Sequence, residues 1–289
     1  MSISNFIPTV WSETLQQALN QRHIGVAHCN RDYEGDIREK GSIVRICGLE
    51  NVNVYDYVKN SNMKTPDTLS DFSTELIIDH AKYFNFQIDD IDRVQSSPQL
   101  MKLAMANAAN ALADAADKAI FNMDLEMENT LTLTTEHSTV DNILSQIIEA
   151  RQMLYNENVV NNDDIVLEVS PSVASLIIRA KLNTLSENNQ LVETGCIGNV
   201  MGCKVYVTKN IGCMPDPDTA GLELHRCYMR TKRAVAFAEQ LSEIQAYRPE
   251  LRFADAVKGL YLFGYKVVYP KEFVALTFRL TEPNVESTF

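Results

Sequence analysis

The chain is poor in the residues that mark extended, membrane-spanning or secreted proteins. Its 289 residues include only 11 glycines and 9 prolines, too few for a collagen-like or linker-like chain. No apolar run approaches the roughly 20 residues that a membrane-spanning helix needs, so no membrane partner is expected. The start, Met1 to Trp11, lacks a basic segment followed by an apolar one, which disfavours secretion. We therefore expect the six cysteines to be free thiols of a reducing compartment.

The chain also lacks an excess of positive charge. It carries 26 Lys and Arg against 38 Asp and Glu, a net charge of -12, which disfavours a dedicated nucleic-acid-binding protein. The stretch 225–271 departs from this balance, with nine basic and four acidic residues. It is compatible with weak contact to a polyanion, but salt bridges between copies of the chain are the favoured interpretation. With 45% hydrophobic residues, the chain has ample material for the core of one large domain or two modest ones.

Sequence signatures of catalysis are missing. We find no GxGxxG or GxxxxGK[ST] phosphate loop, no HExxH zinc helix and no GxSxG nucleophile motif. The five histidines are scattered, so no catalytic triad is assigned. We therefore predict that the protein is not an enzyme and binds no cofactor. A metal-dependent or hydrolytic α+β enzyme is the alternative from another class, and one bound zinc per chain would support it.

One cluster has the composition of a zinc site without its spacing. Zinc prefers cysteine and histidine ligands, and five such residues lie within 32 positions: Cys196, Cys203, Cys213, His225 and Cys227. Structural zinc sites usually take ligands from tight C-x(2–4)-C pairs, and the cluster has none. Small buried hydrophobes and loop thiols are therefore the favoured interpretation, and no metal site is predicted.

The first third of the chain is expected to hold a short amphipathic segment, Glu13–Asn20, and then a long β ribbon. Strands are predicted at Ser42–Gly48 and Asn51–Val58 from their β-branched and aromatic residues, and a return strand at Thr74–Ile88 from alternation. At about 3.3 Å per residue, that return strand is roughly 50 Å long. A lone two-stranded ribbon is marginal in water and its open edges invite pairing, so neighbouring copies are expected to cover it.

The middle of the chain is predicted to be helical and the end mainly β, which makes the fold class α+β. An Ala-rich helix is expected from Pro98 to Met123, with Ser97 as its N-cap, and a second helix over Val140–Tyr155. The buried stripe predicted for the first helix is Leu100, Leu103, Ala104, Ala108, Ala111, Leu112, Ala115, Ala119 and Ile120. The other predictions are a short helix over 170–178, polar loops at 181–199 and 209–223, and strands at 165–169, 203–207, 234–238, 243–247, 257–268 and 273–280.

Several longer segments stand in an order that carries a family resemblance. They are 30–35 (NRDYEG), 41–46 (GSIVRI), 78–88 (IDHAKYFNFQI) and 246–259 (AYRPELRFADAVKG), followed by 264–268 (GYKVV) and Pro270. Together they resemble the major capsid proteins of tailed bacteriophages, in the P22-coat-like branch of the HK97 fold. The resemblance covers nearly the whole chain, although no short motif is diagnostic alone and the large inserted domain of the P22 coat has no counterpart here.

The resemblance implies an HK97-like capsid fold with four parts. An N-arm would occupy 1–34, and an extended β-hairpin, the E-loop, would occupy 35–92. The peripheral domain with its long spine helix would comprise 93–136 and 240–270, and the axial α/β domain 137–239 and 271–289. In this fold the E-loop lies across the adjacent subunit, which would cover the ribbon.

The function implied is that of a structural major capsid protein. Copies would assemble into pentamers and hexamers of an icosahedral virion shell around double-stranded DNA, with an encapsulin-like protein nanocompartment of the same fold as the alternative. The partners implied are the chain itself, a separate scaffolding protein, a portal protein and, through weak non-specific contact, the packaged DNA. A separate scaffold is expected because the sequence reaches its arm at once. Assembly is expected in the host bacterial cytoplasm, and the virion capsid is the expected location.

Aromatic and arginine side chains outside the predicted core are expected at subunit interfaces. They are Trp11, Arg45, Tyr55, Tyr57, Arg248 and Arg252. Trp11 is expected to dock on the body of its own chain or of a neighbour. The last two arginines flank Pro249 and are expected to pair with acidic groups of a neighbouring subunit. A locally solvated pair is the alternative, because exposed ion pairs contribute little.

Overall fold

A computed structural model describes most of the chain. The described residues are 15–16, 18–19, 22–33, 41–49, 54–57, 59, 62, 64–65, 71–89, 99–123, 129–132, 140–157, 159, 165–182, 196–200, 202–215, 223–251 and 253–279. Long helices and several sheets alternate among them, which confirms the mixed helix and strand content predicted from the sequence. None of the described helices combines the length and the hydrophobicity that a membrane-spanning helix needs.

The elements are numbered here in chain order. The strands are β1 (Ile43–Leu49), β2 (Asp71–Ile77), β3 (His80–Asp89), β4 (Asn129–Thr132), β5 (Ile165–Val169), β6 (Cys196–Val200), β7 (Cys203–Val207), β8 (Cys213–Pro215), β9 (Glu223–Thr231), β10 (Val235–Tyr247), β11 (Ala254–Val267) and β12 (Phe273–Arg279). The helices are α1 (Gln99–Ile120), α2 (Val140–Asn156) and α3 (Pro171–Leu182).

The first core lies between helix α1 and a three-stranded antiparallel sheet of order β10-β11-β3. Met105, Ala109 and Leu112 of the helix pack with Phe237 and Phe263 of the sheet. Nine alanines in the 22-residue helix keep its surface flat and its propensity high, so it holds over about 33 Å. The predicted Ala-rich helix is therefore present, although its proposed cap at 97–98 lies outside the described residues.

The buried face of α1 is rotated by about one residue from the predicted stripe. Its fully buried residues are Met105, Ala109, Leu112, Ala113, Ala116, Asp117 and Ile120. Leu103, predicted to be buried, is 60% exposed, and Ala111 is also exposed. The prediction fails because Asp117 belongs to the buried face, whereas a charged residue in a helical pattern is normally assigned to the solvent side.

The predicted return strand is wrong as a single element. Its first part, β2, pairs antiparallel with β1, but after Ile78 and Asp79 the chain continues as β3, which pairs with β11. The alternation of apolar residues keeps the same parity through both parts, so the sequence gives no sign that the partner changes. The ribbon is therefore β1 and β2 alone, and the open edge of β11 is covered by the chain's own β3.

The base of the ribbon packs on the second face of the three-stranded sheet. Val44, Ile46, Leu76 and Ile78 form a small buried cluster there with sheet residues that include Leu262. Beyond β1, the strand predicted at Asn51–Val58 is also wrong for residues 54–57, which have no regular structure. The reason is that β1 and β2 end their pairing at Leu49 and Asp71, so these residues have no strand partner among the described residues.

The second core lies between helices α2 and α3 and a seven-stranded mixed sheet. Its order is β4-β12-β9-β5-β7-β6, with β8 added to β9. Ile143, Ile147 and Val173 of the helices pack with Leu167 and Leu276 of the sheet. Helix α2 and strand β5 occupy the predicted places, although Ile148 of α2 is 47% exposed.

Sequence reasoning missed several elements of this half. Helix α3 continues four residues beyond the predicted end at Ile178, and β6 and β8 fall in segments predicted to be loops. Strand β9 was not predicted because its alternation is masked by charged residues, one of which, Arg230, is fully buried. The two strands predicted at 234–238 and 243–247 are one strand, β10, with a β-bulge at Ser242.

Candidate subunit-interface surfaces

The ribbon projects two ordered strands with one exposed face. Arg45 and Glu75 stand opposite each other in the β1–β2 register, and Arg45 Nε lies 3.4 Å from Glu75 Oε1. The Arg45 side chain is 74% exposed, so this pair holds the guanidinium on the surface without burying it. Ile43 and Ile77, the adjacent opposing pair, are each about half exposed on the same face. This face carries apolar and charged groups that the chain itself leaves uncovered.

The segment beyond the ribbon exposes three large side chains within four residues. Val54 is 94% exposed, Tyr57 is 78% exposed, and Tyr55 is partly shielded by Lys64, whose Nζ lies 4.1 Å from the ring centroid. Such a contact attracts the cation to the ring but leaves the ring accessible. These two tyrosines, both predicted interface residues, are therefore available to a partner.

The turn between β10 and β11 forms a second exposed extension. Leu251 is 97% exposed and Phe253 is 84% exposed. Arg248, a predicted interface residue, points its Nε at Asp255 Oδ1 of the same chain at 3.6 Å. Two apolar residues that almost wholly face solvent at one turn are unusual for a chain that functions alone. We call this turn the hairpin tip.

Two of the predicted interface residues cannot be located. Trp11 and Arg252 lie outside the described residues. The sequence analysis also missed Leu251 and Phe253, although they flank Arg252 in a turn where apolar residues have no core to join. The signal that could have revealed them is the occurrence of two apolar residues in a short turn between two strands with clear hydrophobic alternation.

A buried arginine fastens the N-terminal segment, residues 22–33, to the seven-stranded sheet. Arg230 on β9 donates from Nε and Nη2 to the two carboxylate oxygens of Glu168 on β5, each at 2.9 Å. The same guanidinium donates to the carbonyl oxygens of Gly25 at 2.8 Å and His28 at 2.9 Å. Both side chains are fully buried, and a bidentate pair with further acceptors satisfies the charges that burial would otherwise penalise.

The ionisation of Glu168 follows from these contacts. Burial alone would raise the pKa of Glu168, but Arg230, and then His28, outweigh it and hold that pKa below its ordinary value. His28 Nδ1 lies 3.0 Å from Glu168 Oε1. The carboxylate is therefore charged at neutral pH and joins the N-terminal segment, β5 and β9 at one point.

A second polar cluster fastens the same segment to α1 and β10. The Asp117 carboxylate accepts hydrogen bonds from the backbone N–H groups of Ile24 at 3.0 Å and Val26 at 3.1 Å. His23 is buried between Asp117 and Glu239, with ring nitrogens 3.7 Å and 3.3 Å from their oxygens. These are ion-pair contacts, since neither ring nitrogen makes a hydrogen bond of ordinary geometry. Burial would lower the pKa of His23, but the two carboxylates outweigh it and raise that pKa to about 9.

The sheet separates most members of the predicted cysteine–histidine cluster. Cys203 and Cys227 are buried in the second core, where burial raises the pKa of Cys227 to about 12. Cys213 and His225 are brought together near the surface, with Sγ 3.2 Å from Nδ1, and Glu223 joins them. Cys196 lies on β6, a strand that does not pair with β8 or β9.

Comparison with solved structures identifies the fold. The structure from Mycobacterium phage Che8 matches with a TM-score of 0.66 and 28% sequence identity, over 88% of this chain and 90% of that one. The capsid of Ralstonia phage GP4 matches with a TM-score of 0.68 and 13% identity, over 91% of both chains. A virus-like particle from Pyrococcus furiosus matches with a TM-score of 0.58 and 14% identity, over 93% of this chain and 99% of that one. No protein-family model and no curated protein sequence matches the chain.

The fold is therefore that of shell-forming structural proteins, the class to which the matched capsids belong. More particularly, the chain is similar in structure to bacteriophage capsid proteins, which supports the resemblance to tailed-phage capsid proteins seen in the sequence.

Proposed function

We propose that copies of this chain form the pentamers and hexamers of an icosahedral shell that encloses double-stranded DNA. The observation that carries the proposal is the pair of apolar extensions on a well-packed body. Val54 and Tyr57 beyond the ribbon and Leu251 and Phe253 at the hairpin tip are each at least 78% exposed. A closed ring needs two unlike surfaces that meet head to tail, and two separate extensions are suited to that geometry.

The ribbon and the segment beyond it act as the E-loop and lie across the adjacent subunit. Burial of the exposed apolar side chains would contribute about 25 cal/mol per Å² of surface removed from water, repeated at every subunit. Arg45, Tyr55 and Tyr57 would contact that neighbour, as would Trp11 from the N-arm. Arg248 and Arg252 at the hairpin tip would contact another copy.

The fold parts predicted from the resemblance are retained in this proposal. The N-arm is 1–34, the E-loop 35–92, the peripheral domain 93–136 with 240–270, and the axial domain 137–239 with 271–289. Strand β3, within the E-loop range, pairs with β11 of the peripheral domain, so the part of the E-loop that reaches a neighbour would end before His80.

The proposal assigns the chain a purely structural, non-enzymatic role. A separate scaffolding protein guides assembly in the host bacterial cytoplasm, a portal protein occupies one vertex, and packaged DNA makes weak non-specific contacts with the inner surface. The excess of basic residues in 225–271 supports contact between that stretch and acidic surfaces of other subunits or the DNA backbone.

An encapsulin-like nanocompartment is the second candidate. The match to the virus-like particle from Pyrococcus furiosus supports it, because there the same fold builds a particle that does not come from a phage. The contents of purified particles distinguish the two functions. Double-stranded DNA and a portal ring support the phage shell, whereas a packaged protein cargo without nucleic acid supports the nanocompartment.

Shortening the ribbon tests the assembly proposal. Residues 50–70 are replaced by a short Gly-Ser turn, which keeps the buried base of the ribbon, since Leu76 and Ile78 have no exposed surface. We expect a folded chain with unchanged circular dichroism that no longer forms particles in negative-stain images when expressed with its scaffold. The control replaces exposed residue Tyr155 on α2 with Ser. Particles of normal yield from the shortened chain would overturn the E-loop assignment.

A further inference from the structure

Three potential metal ligands of different chemistry meet at the β8–β9 pair. Cys213 stands directly opposite His225 in the antiparallel register, and Glu223 lies two residues before His225 on the same strand. Residues two apart on a strand point to the same face, so all three side chains share one side of the pair. The sulfur of Cys213 is 3.2 Å from His225 Nδ1, and one potential ligand atom from each residue lies within 4.8 Å of the others.

We propose that Cys213, Glu223 and His225 bind a divalent transition-metal ion of the zinc type. A thiolate, an imidazole and a carboxylate bind Zn²⁺ at about 2.0–2.3 Å, so tetrahedral ligands stand about 3.5 Å from one another. The Cys213–His225 separation of 3.2 Å is close to this value, and no separation among the three ligand atoms exceeds 4.8 Å. Glu223 is exposed, so its side chain can rotate to close the longer gap without moving the strand.

The ligand set selects the class of ion. Ca²⁺ and Mg²⁺ take oxygen ligands almost alone, whereas thiolate and imidazole together favour zinc and its neighbours in the first transition series. Three protein ligands leave a fourth position, which water fills at an exposed site. Among the described residues, no other group of three Cys, His, Asp or Glu side chains lies close enough to share an ion.

Strand pairing holds the site in place. His225 pairs with Phe278 of β12 on one side and with Cys213 of β8 on the other, so it sits on a strand fixed from both edges. Strand β8 has only three residues and pairs only with β9 among the described strands. A bound ion would therefore join the weakly held β8 to the central strand β9 and stabilise that end of the sheet.

Binding exchanges a proton for the ion. The Cys213 thiol is protonated before the metal arrives, because burial and Glu223 raise its pKa. The metal–sulfur bond forms as the thiol proton leaves to solvent, and His225 binds through a neutral ring nitrogen. The site requires no other change in charge or oxidation state.

Cobalt titration of the unassembled, reduced full-length chain tests the proposal. We expect one equivalent of Co²⁺ to produce a near-ultraviolet thiolate-to-cobalt absorption band that Zn²⁺ abolishes by displacement. Cys213→Ser should remove the band, and His225→Gln should weaken Co²⁺ binding by at least about 100-fold, beyond the loss typical of a supporting residue. Cys203→Ala, which removes a buried thiol of the same sheet, is the matched control and should keep the band.

A measurement on the wild-type chain makes the result independent of how the variants fold. Zn²⁺ should slow alkylation of Cys213 by iodoacetamide, measured by peptide mass spectrometry, at least about tenfold. A band that survives Cys213→Ser, the absence of saturable Co²⁺ binding, or alkylation of Cys213 at the same rate with and without Zn²⁺ would each overturn the proposal.

Discussion

Gly264 on β11 lies directly beneath the carbonyl oxygen of Ile77 at the end of the ribbon. A Cβ atom at position 264 would stand 2.3 Å from that oxygen and 3.0 Å from its carbon. Backbone atoms cannot move aside as a flexible side chain can, so only glycine permits this approach. The contact is the place where the ribbon meets the sheet that carries it.

Gly264→Ala should therefore displace the base of the ribbon. We expect a loss of about 1–3 kcal/mol in unfolding free energy, the usual cost of inserting a methyl group into a filled space. Urea denaturation of the unassembled chain measures it. Gly212→Ala is the control, because a Cβ there meets nothing within 4 Å, and it should change stability little. Equal stability of the two variants would contradict the close approach.

The Arg230–Glu168 pair gives a second prediction, based on the cost of an unpaired buried charge. Arg230→Met should lower the unfolding free energy by about 3–5 kcal/mol, because Glu168 is then left charged and fully buried. The double variant Arg230→Met with Glu168→Leu should recover part of this loss. Recovery will be incomplete, since Gly25 and His28 also lose the donor to their carbonyl oxygens. A double variant no more stable than Arg230→Met would show that the pair does not act as a unit.

The same contacts predict where the chain becomes vulnerable to protease. Freed from Arg230, the segment 22–33 should be cut by trypsin faster than in the wild-type chain, while the two cores resist. Mass spectrometry of the early fragments identifies the first cleavage. If the first cut falls elsewhere in the variant, Arg230 does not fasten this segment.

The raised pKa of His23 predicts how stability depends on pH. The charged form is favoured in the folded chain, so its contribution is complete below the ordinary pKa of 6.5 and is lost as pH rises through about 9. The loss over this range is up to about 3 kcal/mol, because one pKa unit corresponds to about 1.4 kcal/mol. His23→Gln should flatten the decline between pH 6.5 and 9 in denaturation measurements.

His80→Gln is the control for that experiment. His80 has a partly exposed side chain and stacks on Phe263 and Tyr265 instead of lying between two carboxylates. Its substitution should leave the decline in place. A wild-type curve that is flat from pH 6.5 to 9 would mean that Asp117 and Glu239 do not hold the proton on His23.

The hairpin tip predicts separate effects on folding and assembly. Leu251→Ser combined with Phe253→Ser should leave the unfolding free energy within about 0.5 kcal/mol of wild type, since exposed side chains contribute little to the folded chain. Particle yield, measured by sedimentation after expression with the scaffold, should fall. Unchanged yield would remove the tip from the set of subunit contacts.

Sequence reasoning predicted the elements whose hydrophobic pattern is local. It failed where a segment distant in the sequence determines strand pairing or burial. Helix α2 and strand β5 follow from periodicity, as does the burial of Leu15 and Leu19 in the N-terminal amphipathic stretch. The division between β2 and β3 could not be predicted, because both partners lie far away in sequence and the alternation continues unbroken. The burial of Asp117 and Arg230 could not be predicted for a related reason. Each is buried because a segment distant in the sequence supplies its hydrogen-bonding partners.

Sequence reasoning named only some of the exposed side chains that the structure offers for subunit contact. The tyrosines beyond the ribbon are exposed as expected, while Leu251 and Phe253 were missed because single exposed apolar residues are common and only their shared position at one turn distinguishes them. The meeting of Cys213 with Glu223 required the β8–β9 register, which no spacing in the sequence encodes.

Only Ile78 and Asp79 separate the strand that belongs to the ribbon from the strand that belongs to the sheet. The Ile78 N–H donates a hydrogen bond to the Ser42 carbonyl oxygen, and the Ile78 carbonyl oxygen accepts one from the Gly41 N–H. The connection between β2 and β3 is therefore short and fixed by hydrogen bonds. We expect a tilt imposed on the ribbon to be transmitted to β3, because only these two residues join the strands. In the proposed shell, a change of curvature that tilts the ribbon would therefore twist the sheet that packs against α1.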